Sequence, residues 1–369
     1  MAAGIRTNDY MLGVIALGIV IVDAPPGDPF AFTPFQLQNV LLEVYLGIEL
    51  LNLLAVNNTP TQQRAFSFVV QVERVEVTPT PGLQPPTGNP NTLSAEITDR
   101  EPHWRDPALN ALGLSSGSQG VREHNDALLT RMWPGGLRAR WAYTTFITRY
   151  HAGWMAYASP TGAPAKVVIQ HDWLSDMTGN FNGTNVGGWS PFGMDRVFAH
   201  ETGHIFGALD EYAGANNNAC QVTDVMSKPP IFTGFTLSVT NVNCAVSNPG
   251  SVACLMKQNT PNLCPTTPAV FGWIDLDADG VLDFVGPQLL NVNPQSGSAG
   301  DTIRLQGIAL GDVKAVGFGG FPVTTPISVI SDTELQLTAP NGSGTVDVTV
   351  TTSVGASTAN PGATSFTFV

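Results

Sequence analysis

Hydrophobic patterning divides the chain into two stretches of different character. Leu12–Val22 is apolar on both faces, which suits a strand at the centre of a covered sheet. The same run, taken from Met11, also has the apolar character of a signal-peptide core. It is too short to span a bilayer, and Asp23-Ala24-Pro25-Pro26 makes a poor cleavage site, so a buried strand is expected and any export signal lies outside this sequence. Residues 36–56 carry Leu37, Val40, Leu41, Val44, Ile48, Leu51 and Leu54 at helical spacing, behind a Thr33-Pro34 start. Phe66–Val77 alternates as a strand. A β-α-β order laid down this early implies an α/β layer arrangement.

Five prolines between Thr78 and Asn91 mark a surface loop. A second helix is expected over 117–132, on Val121, Leu128, Leu129 and Met132, stopped by Pro134-Gly135-Gly136. Trp141–Tyr150 and Lys166–Gln170 read as strands, and Met177–Ser190, rich in Gly and Asn, as an exposed loop. From Val292 onward the period changes to two. Thr302–Leu305, Ala315–Phe318, Ser328–Ile330, Glu334–Thr338, Thr345–Thr351 and Ser365–Val369 are short strands separated by turns, the pattern of a small β-sandwich.

Composition adds limits. The 369 residues exceed one ordinary domain, and 43% hydrophobic content is enough for sizeable cores. Only 12% of residues are charged, and the net charge of −13 argues against binding a nucleic-acid backbone. Cys220, Cys244, Cys254 and Cys264 all fall in one segment. Their spacing does not suit a zinc finger, so two disulfides in an oxidising compartment are expected, with three connectivities open.

The chemistry concentrates in Phe198–Tyr212, F-A-H-E-T-G-H-I-F-G-A-L-D-E-Y. His200 and His204 are one helical turn apart, so both imidazoles can reach one metal ion, with Glu201 beside it. Gly207 can take the left-handed conformation that ends a helix and turns the chain, which lets Asp210 swing back as third ligand. The other four histidines, His103, His124, His151 and His171, have no ligand spacing and are expected at the surface or in packing.

The string H-E-T-G-H-I-F-G-A-L-D-E-Y resembles the metzincin zinc peptidases, in particular the bacterial IgA-peptidase-like group that shares the D-E-Y ending. That resemblance implies Zn2+ held by His200, His204 and Asp210, with Glu201 as general base and Tyr212 as an oxyanion contact or a packing residue. Glu211 is the rival third ligand. A methionine floor is implied beneath the metal, with Met256 preferred over Met226. The resemblance further implies a zinc metalloendopeptidase acting on extracellular protein or peptide substrates. Such a substrate is expected to lie extended along an edge strand, and Lys166–Gln170, by its position before the motif helix, is the candidate.

Phe271–Asp283 contains Asp275, Asp277 and Asp279 before Gly280, with Asp283 at the ninth position counted from Asp275. This repeats the first half of a calcium loop, but Gly286 stands where the bidentate Glu of an EF-hand belongs. Ca2+ and a plain Asp/Gly turn are the two readings. Ser296–Gly307, Val316–Gly320 and Ser331–Pro340 resemble the immunoglobulin-like IPT/TIG domain, which implies an accessory binding or spacer module.

The expected fold class is therefore α/β (α+β): a metzincin-like catalytic domain with a mixed sheet and active-site helix, then an all-β immunoglobulin-like sandwich. The expected division is 1–286, comprising 1–194, the active-site helix 195–207 and a cysteine- and Asp-rich part 208–286, followed by 287–369. A secreted or cell-surface location is expected, with no nucleic acid, no membrane span, and a surface carbohydrate or protein partner for the C-terminal module. The alternative function is a structural or adhesive surface protein that keeps a metallopeptidase-like scaffold. Hydrolysis of a non-peptide substrate finds no support in the sequence.

Overall fold

The computed structural model describes residues 10–59, 65–78, 96–134, 137, 139–150, 154–159, 164–174, 180–181, 184–185, 193–212, 225–228, 237–240, 243, 252–273, 287–308, 310–311, 313–331, 334–352, 355–357, 362 and 364–369. Over these residues the protein is a mixed α/β structure with several sheets.

The apolar run near the N-terminus forms strand β1 (Gly13–Asp23), buried along almost its whole length. It pairs in parallel with β2 (Phe66–Glu76) on one side and β3 (Trp141–Thr148) on the other. Strand β5 (Lys166–Gln170) continues the parallel set beside β3, and β4 (Ala156–Ser159) closes the sheet antiparallel to β5. The five-stranded order is β2-β1-β3-β5-β4. Lys166–Gln170 is thus an interior strand buried at every position, and the edge is β4, which corrects the expectation of an edge at 166–170. Both sides of its backbone ladder are already taken, so strand addition there has no unpaired groups to use.

Successive β1 side chains enter two different cores. Ile15, Leu17, Ile19 and Ile21 share one with helix α1 (Pro34–Asn58) and helix α4 (Met194–Ile205). Val20 and Val22 enter a second core with Trp104 of α2 (Glu101–Ala111) and Val121 of α3 (Gly117–Thr130). Helices therefore cover both faces, which is why β1 needs no polar side. Helix α2 carries Pro102 and Pro107, which hide its periodicity in the sequence, and burial of Trp104, Ala108 and Leu109 holds it in place.

Helix α1 starts as its sequence implies. Thr33 Oγ1 accepts from the Gln36 backbone N–H, and Gln36 Oε1 accepts from that of Thr33, a closed capping box. By length and composition α1 could cross a membrane, but half of its apolar window is buried inside the protein. At Gly47 a Cβ would sit 2.6 Å from the Asp195 carbonyl oxygen, so glycine is what lets α1 and α4 approach. Glu43 of α1 accepts the Asp195 backbone N–H at 2.9 Å and so caps the first turn of α4, which has no side-chain cap of its own. On the other face His124 is a packed histidine, bonded to Thr144 and Glu73 at 2.7 and 2.9 Å.

The segment that follows α4 folds back beneath it. Two short helices, α5 (Leu255–Gln258) and α6 (Thr266–Val270), lead to Phe271–Trp273, which close on the start of β1: Met11 N–H donates to the Phe271 carbonyl, and Trp273 Nε1–H to the Met11 carbonyl. Small hairpins are formed by β6 (Asn180–Phe181) with β7 (Thr184–Asn185) and by β8 (Val225–Lys228) with β9 (Leu237–Thr240). Cys254 and Cys264 are buried free thiols, which corrects the expected disulfides at these two positions; Cys220 and Cys244 lie outside the described residues. The proline-rich 79–91, most of 177–190, and Asp275, Asp277, Asp279 and Asp283 also lie outside them.

From Gln288 the chain is all β. One sheet has the order β10-β12-β16-β15 (Gln288–Asn293, Thr302–Ile308, Glu334–Thr338, Ser328–Ser331). The other runs β11-β19-β17-β13-β14 (Ser296–Gly297, Ser365–Phe368, Gly344–Thr352, Val313–Phe318, Phe321–Pro322), with β18 (Gly355–Ala356) on β17. Leu305 and Leu335 from the first sheet and Val316, Val348 and Phe366 from the second share one buried core, the packing of two facing sheets. The alternation seen in the sequence located β12, β13, β15, β16, β17 and β19 to within a few residues, and left β10 and the two-residue strands β11, β14 and β18 unmarked.

Candidate metal centre

Helix α4 carries His200 and His204 on one face, and the turn after it is set by Gly207, whose φ of 87° lies in the left-handed region. The chain then reverses and delivers Asp210. Its Oδ1 lies 2.9 Å from His200 Nε2 and 3.2 Å from His204 Nε2, and the two Nε2 atoms are 3.1 Å apart. Three ligand atoms thus converge on one point from one turn of helix and one loop.

Backbone carbonyls orient both rings. His200 Nδ1 lies 2.9 Å from the Leu255 carbonyl oxygen, and His204 Nδ1 lies 2.7 Å from that of Ala208. A carbonyl can only accept, so each Nδ1 must donate, and a neutral ring is then left with a lone pair on Nε2. Two such lone pairs facing each other and a carboxylate oxygen need a positive charge between them, either a proton or a metal ion. Around tetrahedral zinc, ligand atoms about 2.0–2.1 Å from the ion stand roughly 3.3 Å apart, close to the separations found here. The residues present fit the metal that the sequence implied.

Electrostatics of the protein alone lead the same way. Burial works against a charge on His204, yet the Asp210 hydrogen bond and the Glu201 and Asp210 charges raise its pKa to about 9. Burial would raise Asp210 as well, but the hydrogen bonds from His200 and His204 hold it far below the ordinary carboxylate range. Glu201 is displaced upward by burial, which outweighs the lowering pull of His204 and His200. Tyr212 is half-exposed, and its hydroxyl is raised by burial and by the negative charge of Asp210 and Glu201.

Glu211 takes a different course from Asp210. Its backbone N–H donates to the Met256 carbonyl, and its carboxylate turns away to Asn243, Cys264 and Thr267. The rival ligand therefore faces another cluster. Met256 is fully buried directly under α4, where a Cβ on Gly203 would come within 2.7 Å of its Sδ. Met226 sits in hairpin strand β8. The sequence reading missed the Leu255 and Ala208 carbonyls and the Glu43 cap. Backbone acceptors leave no mark in residue identity, and Glu43 acts on a residue 152 positions away.

No known family and no curated protein matches the chain. Solved structures show a likeness over about a quarter of it. Among them are the Gamma-CGTASE of alkalophilic Bacillus clarkii (22% identity, 23% of this chain and 12% of that one, TM-score 0.21) and SGBP-B of the Bacteroides ovatus mixed-linkage glucan utilization locus, in complex with a mixed-linkage heptasaccharide (22% identity, 23% and 24%, TM-score 0.20). A third is an auxiliary nutrient binding protein from Bacteroides ovatus (20% identity, 23% and 21%, TM-score 0.18). The chain spans less than a quarter of the length of each. These matches are to a CGTase and to glucan- and nutrient-binding proteins, not to metzincins. The expected membership of the metzincin, IgA-peptidase-like group is corrected, since no family model matches the chain, and with it the reading of the chain as a zinc metalloendopeptidase, hydrolase or protease. At such low likeness the matches assign no ligand to this chain.

Proposed function

We propose that this chain is a secreted or cell-surface binding protein whose α/β part, 1–286, holds one zinc ion at His200, His204 and Asp210. Its β-sandwich, 287–369, is the immunoglobulin-like accessory module that docks on a surface carbohydrate or protein. The observation that carries the metal reading is the convergence of three donors, two of them rings locked by carbonyls with their lone pairs facing inward. Two imidazoles and a carboxylate form a donor set suited to zinc. A bound zinc would offer a Lewis-acidic anchor for a ligand oxygen at its remaining position. Glu201 and Tyr212, both within electrostatic reach of Asp210, are the groups that would hydrogen-bond such a ligand. A second cation, calcium, at Asp275, Asp277, Asp279 and Asp283 rests on the sequence pattern alone.

The test measures metal content and binding on the same preparation. The full chain should carry one His-bound zinc, His200→Ala should lose it, and thermal stability should fall on chelation. In a glycan and surface-protein binding screen, the full chain and the separate 287–369 fragment should retain the same ligands. Zinc uptake unaffected by His200→Ala would end the metal reading, and binding confined to 1–286 would end the docking role of the sandwich.

A further inference from the structure

The carboxylate that turned away from the histidines belongs to a second group of metal-ligating atoms. Glu211, Cys254 and Cys264 each offer one ligand atom, all within 4.8 Å of one another, and all three residues are buried. They come from three separate places: the turn after α4, the residue before α5, and the loop before α6. Thr267 of α6 stands among them, its Oγ1 3.5 Å from Cys254 Sγ, 3.3 Å from Cys264 Sγ and 3.4 Å from Glu211 Oε1. Cys264 Sγ is in turn 3.1 Å from Glu211 Oε1.

We propose that Glu211, Cys254, Cys264 and Thr267 form a second metal site, a structural one for a thiophilic divalent ion such as zinc. Zinc bound to sulfur at about 2.3 Å and to oxygen at about 2.0–2.2 Å has ligand–ligand edges of roughly 3.3–3.8 Å. The three Thr267 separations lie within about 0.3 Å of those edges, and Cys264 Sγ and Glu211 Oε1, at 3.1 Å, would part by about half an ångström to admit the ion. The surroundings are those of a held thiolate and carboxylate. The Cys264 backbone N–H donates to Cys254 Sγ at 3.2 Å, and Asn243 Nδ2 donates to Glu211 Oε2 at 2.7 Å. Asn243 is itself tied to the Val252 carbonyl at 3.1 Å and accepts from Lys257 Nζ at 3.4 Å. Such outer hydrogen bonds fix ligand orientation in metal sites. Closure from solvent and three anionic donors, with the Thr267 hydroxyl as the fourth contact, mark a structural site, in contrast to the more open histidine site.

This site has a clear mechanical task. Residues 254–264 present the Leu255 carbonyl to His200, the Met256 carbonyl to the Glu211 N–H, and the Met256 side chain to Gly203. An ion gripping Cys254 and Cys264 would clamp both ends of that segment. The second site stands on its own four donors and does not need the histidine site to be filled.

Cobalt distinguishes the two sites, because thiolate ligands give an intense near-ultraviolet charge-transfer band that imidazole and carboxylate ligands do not. Co2+ alone is added to the chelator-stripped full chain under reducing conditions. The wild type should take up two ions and show the band; His200→Ala/His204→Ala should take up one and keep it; Cys264→Ser should take up one and lose it. Two ions and a band in the wild type, both unchanged in the double-histidine variant, would sink the histidine site and leave this one standing. Uptake without any thiolate band in the wild type overturns the second site. So does an isolated chain two hydrogens lighter through a Cys254–Cys264 disulfide that shows no band after reduction. The wild type and the histidine variant decide the matter even if Cys264→Ser fails to fold.

Discussion

His200 Nδ1 donates to the carbonyl oxygen of Leu255 across 2.9 Å, between residues 55 positions apart. That bond decides which nitrogen of the imidazole faces Asp210. The metal centre therefore depends on the segment beneath the helix as much as on the helix itself.

The first consequence separates two adjacent acids. Asp210→Ala removes a ligand atom 2.9 Å from His200 and should weaken zinc binding by more than the roughly 10–100-fold typical of an outer partner. Glu211→Ala removes no atom from the histidine site and should weaken zinc binding there far less. Competition titration with a chromophoric chelator measures both. Equal losses of the histidine-bound ion, titrated in the Cys264→Ser background that removes the second site, would show that Glu211 shares it.

A methyl group at Gly203 has no room. Its Cβ would lie 2.7 Å from Met256 Sδ and 3.4 Å from the Phe271 ring, both fully buried. Gly203→Ala should cost about 1–3 kcal/mol of stability through overpacking. Gly203→Ala/Met256→Ala should recover part of that loss in denaturant unfolding, because the space is returned. A neutral Gly203→Ala would mean that the floor yields.

Glu43 supplies the cap that α4 lacks. Glu43→Ala leaves the Asp195 N–H without its acceptor and removes a carboxylate from the positive end of the helix, at about 1–2 kcal/mol. Glu43→Gln keeps an acceptor oxygen and should lose less. Thermal unfolding of the chelated protein reads the difference, and equal losses would show that the charge matters and the hydrogen bond does not.

The metal-free protein should lose stability as pH rises. His204 titrates near 9 in the fold, against its ordinary 6.5, so the folded state holds its proton more tightly. The stability it contributes is fully present below pH 6.5 and disappears as pH climbs through about 9. Glu201, also raised, acts in the same direction from a lower pH. Asp210 is lowered, so its contribution is present above pH 3.8 and is lost only in strong acid. The melting temperature with chelator should thus be highest between about pH 4 and 6.5 and decline toward pH 9. Zinc replaces the proton at these ligands, so its stabilisation should grow with pH over the same window. A chelated protein that gains stability between pH 6.5 and 9 would contradict the assignment.

Much of the architecture was legible in the residues because it depends on local periodicity. The unbroken apolar run of β1, the Thr33-Pro34 start of α1 and the alternation within 302–368 each state their burial directly. The His200/His204 pair was legible too, since one helical turn fixes which residues share a face, and Gly207 announced the reversal after it. The tertiary structure decided everything that depends on distant segments. It placed Lys166–Gln170 inside the sheet, because β4 pairs with its outer side. It placed Asp210 beside the histidines and turned Glu211 toward Cys264 and Thr267, a second cluster that no residue pattern announced. Strand order and side-chain aim follow from long-range packing and hydrogen bonding, and those contacts exist only once the chain has closed on itself.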